Sequence, residues 1–347
     1  MDSIDGDWSR HGLHGLVNIT YTDGRYALGE FTRGSVAGSL TTFQCIFGPC
    51  SDWTEIDDNE TRDVTVAEYL EKIVYYKDGE PDHTRHSLWF MIGGGLLQCP
   101  PDSDGLASGD DCVYLYPDLN TALTGRWRSG RMMEAVEASL TSVIINDHQL
   151  ELKVVKSSST DKYELDQSSS YIISQDPLLE DPLERKSVYV AASMIDGAGE
   201  GLFLRRDAEA GDLVSVYNGV RMTEHESRIR KEDRRSVYRI YGWSGEVLNI
   251  PTRFQSTHAY TASLAHKINH ADDKTSNAEF RILYHPRFGE CVGVYMTRPG
   301  MMGEEVLVNY GYVEKAMAME GGMDMMLRAA QVRNNTVSGF INDSVSC

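Results

Sequence analysis

Apolar and polar residues alternate in short runs along the first third of the chain, and glycines or Asp-Gly pairs punctuate the runs. Tyr21–Gly34, YTDGRYALGEFTRG, holds an aromatic, an Asp-Gly step, an alternating run and a closing glycine. Tyr116–Gly130, YPDLNTALTGRWRSG, repeats that layout, and Tyr76–Gly95, YKDGEPDHTRHSLWFMIGGG, is a looser copy. A period of two places every second side chain on one face of a strand. Asp-Gly supplies the positive φ of a tight hairpin, and the flanking aromatics cover cross-strand neighbours. One recurring unit predicts an antiparallel hairpin-repeat sheet over residues 11–137, interrupted by Ser51–Leu70. A single irregular sheet is the simpler alternative.

A transition follows over 138–185. VVKSSSTDKYELDQSSSYIIS is rich in serine with little apolar period, and QDPLLEDPLERKS holds two prolines that disfavour helix and sheet alike. This sets a linker there and a second domain over 186–311. That domain reads as short strands with irregular connections: SVYVAAS, then DLVSVYNGVRM with Leu213, Ser215 and Tyr217 on one face before an Asn-Gly turn, then GECVGVYMTR and EEVLVNYG. EHESRIRKEDRR predicts a charged surface helix. In the closing segment, 312–347, Met and Leu recur at helical spacing after Gly322 and predict a C-terminal helix. The fold class is mainly β.

Charge changes the picture more than composition does. Lys and Arg number 33 against 52 Asp and Glu, a formal net charge of −19. Such a chain repels bare phosphate backbones and anionic headgroups, which argues against direct nucleic-acid or membrane binding; the charge either steers basic peptides inward or serves solubility alone. The six cysteines have no C-x-x-C spacing, which argues against a zinc knuckle or a disulfide framework and fits a reducing compartment. Met1–Arg10, MDSIDGDWSR, lacks a signal-peptide pattern, so the expectation is a soluble intracellular protein.

The candidate chemistry lies in the second domain. Gly197–Phe203, GAGEGLF, is a glycine-rich bend, but it is not a G-x-G-x-x-G turn opening a helix, so a dinucleotide site is unsupported. His266 and His270 would share a face if helical, but Lys267 stands where a zinc helix needs glutamate, and its charge opposes a metal. No metal is expected. The informative feature is order: GAGEGLF, VYNGVR, then an apolar lead into Asn269-His270 within SLAHKINH, then HPRFG, then VNYGY.

In that order the motifs resemble the SET-domain protein-lysine methyltransferases, specifically the MORN-plus-SET type acting on histone H3 lysine four. The N-terminal hairpins resemble MORN repeats. The resemblance implies a SET β-clip fold with a knot-like crossing between the Asn-His segment and the C-terminal part of the domain. It implies S-adenosyl-L-methionine as methyl donor, held by Ala198, Gly199, Glu200, Asn269 and His270. It implies Tyr310 at the methyl-transfer site, with Tyr217, Tyr312 and Phe280 lining a lysine channel. Basic protein tails such as histone H3, along with non-histone proteins, are the implied partners, and the nucleus, with the cytoplasm as a second site, the implied location. A catalytically weak scaffold keeping the same fold is the alternative.

The chain departs from the family pattern in three places. Phe280 replaces a tyrosine whose hydroxyl restricts room at the amine, and phenylalanine resembles members that add a second methyl. Val292 replaces a groove lysine, and Arg234–Trp243, aligned with the substrate-pairing strand, is substituted. A C-terminal tryptophan is missing, with Met323, Met325 and Met326 in its region.

Overall fold

In the computed structural model the described residues are 3–9, 12–20, 26–32, 35–43, 69–77, 80–146, 149–230, 238–241 and 246–310. Twelve strands among them build one N-terminal sheet. They are β1 (Ser3–Ser9), β2 (Gly12–Thr20), β3 (Tyr26–Thr32), β4 (Ser35–Phe43), β5 (Tyr69–Lys77), β6 (Glu80–Pro81), β7 (Ser87–Met91), β8 (Leu96–Cys99), β9 (Gly109–Leu115), β10 (Thr121–Arg128), β11 (Arg131–Asn146) and β12 (Gln149–Lys156). Each strand pairs antiparallel with its neighbour, as a stacked hairpin array requires, and β6 is a short side branch on β5.

The turn chemistry explains the β9–β10 hairpin. Asp118 accepts from the backbone N–H groups of Asn120 and Thr121 at 3.1 and 2.8 Å, and Leu119 takes the left-handed φ of 55° that closes the turn. Ser129 and Gly130 do the same between β10 and β11 with φ of 46° and 79°.

Four expectations are corrected here. The sheet does not end at residue 137, because β11 runs on to Asn146 and pairs with β12. The connecting Asp147-His148 lacks glycine, so the hairpin signal was missing from the sequence. The transition region is not a free linker either: Tyr163, 1% exposed, exchanges backbone hydrogen bonds with Ala135 at 2.7 and 2.8 Å, and its hydroxyl donates to Glu180 O. Its second proline starts a helix rather than blocking one. Pro182 opens α1 (Pro182–Ser187), where a missing N–H costs nothing, and Asp181 caps it by accepting from Leu183 N and Glu184 N. Finally, Cys99 and Cys112, scattered in sequence, lie across neighbouring strands and form a disulfide.

Among the described residues the strands of the second domain form three small sheets. β13 (Val188–Ala192) pairs with β14 (Glu200–Leu204). β15 (Leu213–Tyr217), β21 (Gly289–Met296), β20 (Ala278–His285), β22 (Leu307–Val308) and β19 (Asn269–His270) form the second sheet in that spatial order. β16 (Val220–Met222), β18 (Val247–Asn249) and β17 (Arg239–Tyr241) form the third. The Asn218-Gly219 step is not a hairpin turn. It carries the chain from one sheet to another, and Gly219 is needed because a Cβ there would lie 2.8 Å from Asn249 N. The charged helix is α2 (Glu224–Ile229), with Thr223 and Glu226 as a capping box. The expected C-terminal helix lies outside the described residues, with Met323, Met325 and Met326.

The two domains share one core. Trp127, Tyr114 and Tyr116 on the sheet cluster with Leu283, Phe288 and Val294 of the second domain. At the junction Tyr116 OH donates to Asp181 Oδ2 at 2.8 Å, and the ring of His285, fully buried, sits 3.1 Å from the same oxygen. Burial pushes the Asp181 carboxyl up, but His285, Tyr116 and the Glu184 N–H together draw it below the usual carboxylate range.

The β7–β8 turn presses directly on the second domain. Gly93 O accepts from Tyr295 OH at 2.6 Å, and Ile92 O accepts from Tyr284 N at 2.8 Å. Gly93 has φ of 94°, and a Cβ would fall 2.9 Å from the Leu283 backbone. Gly93→Ala therefore meets both backbone strain and a contact that cannot move aside. The expected loss is about 2–4 kcal/mol, checked by thermal unfolding of the full chain, with Gly105→Ala as a control where only strain applies.

Candidate active site

Pairing of β19 with β22 is what creates the site. The strands run parallel, with Asn269 opposite Leu307 and His270 opposite Val308, so the Asn-His segment and the end of the domain lie side by side. Tyr310 follows immediately. Its backbone N–H donates to His270 Nδ1 at 3.1 Å, and its hydroxyl donates to Ile268 O. The phenol is thereby locked at both ends against the segment it must face.

A line of rings leads away from this point. His270 and Tyr310 have centroids 5.3 Å apart, Tyr310 and Phe280 6.3 Å, and Phe280 and Tyr217 6.4 Å in an edge-on arrangement. Tyr217 is the deepest, 5% exposed, and its hydroxyl has no hydrogen-bond partner among the described residues. Burial, then the neighbouring phenols of Tyr310, Tyr260 and Tyr238, push its pKa well above the ordinary value, so it stays neutral. A buried hydroxyl without a partner costs free energy unless a polar ligand group meets it. Tyr312 lies outside the described residues.

On the other side of Asn269 lies the glycine bend. Gly197 and Gly199 have φ of 76° and 78°, and a Cβ on either would touch nothing within 4 Å. Ala198 and Glu200 are exposed beside them. Asn269 Nδ2 donates to Glu200 O at 3.0 Å, joining the bend to the Asn-His pair. The bend thus presents open backbone, and the adjacent β19 presents a carboxamide and an imidazole. This donor and acceptor set suits a ligand carrying an amino acid and a purine, so the five residues expected to hold S-adenosylmethionine lie together and fit it.

Lys267 Nζ lies 2.6 Å from Glu200 Oε2 and donates to Gln255 O, so its charge is committed. His266 and His270 do not share a site. Ala265–Lys267 is a single 3₁₀ turn and β19 begins at Asn269, so helical spacing does not apply. His266 is packed between the rings of Tyr238 and Tyr260, and burial, with Lys267, lowers its pKa to about 3.

Two acids missed by sequence reasoning frame the site. Glu184, 1% exposed, accepts from Ser215 Oγ, from Val216 N at 2.7 Å and from Leu264 N at 3.1 Å. It ties the strand bearing Tyr217 to the segment leading into Asn269, and burial, then Asp181, pushes its pKa up to about 8. Glu305 accepts from Ser193 Oγ, Met194 N and Asn269 Nδ2 at 2.7, 2.8 and 3.0 Å. Nothing in PLERK or GEEVL distinguishes a buried acid from a solvated one, so no sequence signal marked them.

Residues 199–311 match the SET domain family. Residues 76–151 match the Histone H3 K4-specific methyltransferase SET7 N-terminal family. A curated relative, Histone-lysine N-methyltransferase SETD7 of Halocynthia roretzi, is 36% identical over 226 residues, which are 65% of this chain and 58% of that protein. The match therefore spans little more than half of the relative's length. Among solved structures, ctPRC2 in an autoinhibited conformation bound to S-adenosylmethionine is 25% identical over 36% of this chain and 15% of that chain, with a TM-score of 0.28. The Chaetomium thermophilum polycomb repressive complex 2 is 23% identical over 38% and 16%, with a TM-score of 0.29. Overlap that partial adds nothing to the assignment. Residues 199–311 are thus similar to SET domains and residues 76–151 to the SET7 N-terminal family, and both segments contribute to one core.

Proposed function

We propose that the chain is a protein-lysine N-methyltransferase that uses S-adenosyl-L-methionine and acts on basic protein tails, histone H3 lysine four first among them. The observation that carries this reading is the line of rings from the Asn269-His270 pair through Tyr310 and Phe280 to Tyr217. The relative from Halocynthia roretzi carries the name of such an enzyme. Non-histone tails fit the same chemistry, and chromatin is the place of action that a histone substrate implies.

Ala198, Gly199, Glu200, Asn269 and His270 hold the cofactor, which when bound supplies a methyl on a positively charged sulfur that a neutral amine displaces. The chain's own task is alignment and exclusion of water. A lysine amine with an ordinary pKa of about 10.4 must reach the site neutral, a shift of roughly 3 units or about 4 kcal/mol. Rings of Tyr217, Phe280 and Tyr310 disfavour the ammonium, and the neutral Tyr217 hydroxyl can meet the amine by hydrogen bonding. Tyr310 is an orienting group rather than a base, since its hydroxyl proton is committed to Ile268 O. A peptide strand can add to β17, which lies at the end of its sheet.

Mass spectrometry of a histone H3 tail peptide after incubation with the full chain and S-adenosylmethionine tests the reading, and an unmodified peptide at high enzyme concentration would contradict it. Phe280 brings no hydroxyl into the channel, so dimethyl-lysine is expected to accumulate in the wild type. Phe280→Tyr should hold the product at monomethyl, and identical product distributions for the two would remove this role.

A further inference from the structure

We propose that α1 is a strut by which the N-terminal sheet holds the strand of Tyr217 in register with the segment entering Asn269, and that Glu184 is its positioning residue. The inference rests on the methyltransferase reading above and names the groups that align the two halves of its site.

Both ends of this six-residue helix are fastened to the N-terminal sheet. At its start Tyr116 OH donates to the helix cap, Asp181, at 2.8 Å, and both residues are fully buried. In its last turn Arg185 and Lys186 pair with Glu137 of β11, itself 5% exposed. Close-packed interiors pass a displacement on instead of absorbing it, so a helix held in this way moves with the sheet.

Between those anchors Glu184 reaches into the second domain. β15 lies at the end of its sheet, yet all five of its residues are buried. A buried edge has outward N–H groups that need partners from elsewhere. Glu184 supplies one: its Oε1 accepts from Val216 N at 2.7 Å and from Ser215 Oγ, the two residues before Tyr217. Leu264 N donates to both oxygens of the same carboxyl group at 3.1 Å. Leu264 leads into the 3₁₀ turn Ala265–Lys267 and so into Asn269. A second tie joins the same two segments just past Tyr217, where Asn218 N donates to Ser263 Oγ at 3.2 Å. Tyr217 therefore sits between two links, and the one at Glu184 comes from an element that the N-terminal sheet holds. The partners of Glu184 are neighbours of the ligand-holding residues and not those residues themselves, so its effect belongs to alignment rather than to affinity for either half.

Glu184→Leu removes the acceptor and strands its donors. It is expected to lower kcat on a histone H3 tail peptide by about thirtyfold or more, with the peptide KM and the affinity for S-adenosylhomocysteine each within about threefold of wild type. Glu184→Gln leaves an oxygen for the same donors and should keep kcat within about threefold. A merely structural role would instead lower the melting temperature and leave kcat per folded molecule unchanged. Tyr116→Phe deletes one hydroxyl on the N-terminal sheet and should lower kcat by about fivefold, yet cost nothing further when added to Glu184→Leu. Wild-type kcat in folded Glu184→Leu, or losses in the two variants that multiply, overturns the proposal. If Glu184→Leu does not fold, Tyr116→Phe decides alone, and an unchanged kcat overturns it.

Amide exchange in the ligand-free full chain separates this inference from the reading beneath it. The Val216 and Leu264 amides should exchange slowly in the wild type and faster in both Glu184→Leu and Tyr116→Phe. A wild type that transfers no methyl, with those changes present, strikes the methyltransferase reading and leaves the strut standing. Unchanged exchange in Tyr116→Phe overturns the strut whatever the activity.

Discussion

Tyr310→Phe lowers kcat by about a hundredfold or more while cofactor affinity stays within about twofold of wild type. The hydroxyl donates to Ile268 O, one residue before Asn269, and the backbone N–H of the same tyrosine holds His270 Nδ1. Phenylalanine keeps the ring stack with Phe280 and the backbone contact but releases the hydroxyl anchor. The ring can then swing within the channel, and in the proposed reaction alignment of amine and methyl is what the site supplies. Single-turnover rates with a labelled methyl donor measure the first quantity, and calorimetry with S-adenosylhomocysteine the second. A rate within a few-fold of wild type would show that the anchor does not govern alignment.

Arg287→Leu destabilises the protein by about 3–5 kcal/mol, a fall in melting temperature on the order of 10 °C. Arg287 lies in the HPRFG turn and is 1% exposed. Its guanidinium donates to the carbonyls of Leu179 and Asp176 at 2.6 and 2.8 Å and lies 3.3 Å from the Asp166 carboxylate. Leucine leaves the buried Asp166 carboxylate and the half-buried carbonyl groups of Leu179 and Asp176 without this partner. Asp166 keeps only the bonds from Ser174 Oγ and Gln175 N. Adding Asp166→Asn removes the stranded charge, so the double variant should recover part of the loss. A double variant that is simply the sum of the two single losses would show that the pair does not act as a unit.

Local signals were legible where one residue type does one thing. Asp-Gly steps and closing glycines marked the hairpins, alternation marked the strands, and the order of short motifs marked the second domain. Pairings between distant segments were not legible. β19 is two residues long and exists because β22 runs beside it, and no propensity in NH or LV encodes that. The buried acids Asp181, Glu184 and Glu305 were invisible for a related reason. Carboxylates are solvated by default, and their burial here depends on donors that arrive from far along the chain: Tyr116, Leu264 and Asn269. The expected cofactor residues did come together, as did Tyr217, Phe280 and Tyr310, because the motifs that carry them end strands that share one sheet or flank it. The prolines misled because their effect depends on position: Pro182 sits at the one place in a helix where proline is favoured.

In the proposed enzyme the cofactor pocket at Asn269 and His270 opens into the ring-lined channel of Tyr310, Phe280 and Tyr217. A bisubstrate ligand tests it most directly: a histone H3 tail peptide whose lysine nitrogen is linked covalently to the adenosyl amino acid. If pocket and channel meet, this ligand binds at least about a hundredfold more tightly than the better of its two halves, and it displaces both S-adenosylhomocysteine and peptide. Binding no tighter than the better of its two halves, or displacement of only one of them, would mean that the two cavities do not communicate.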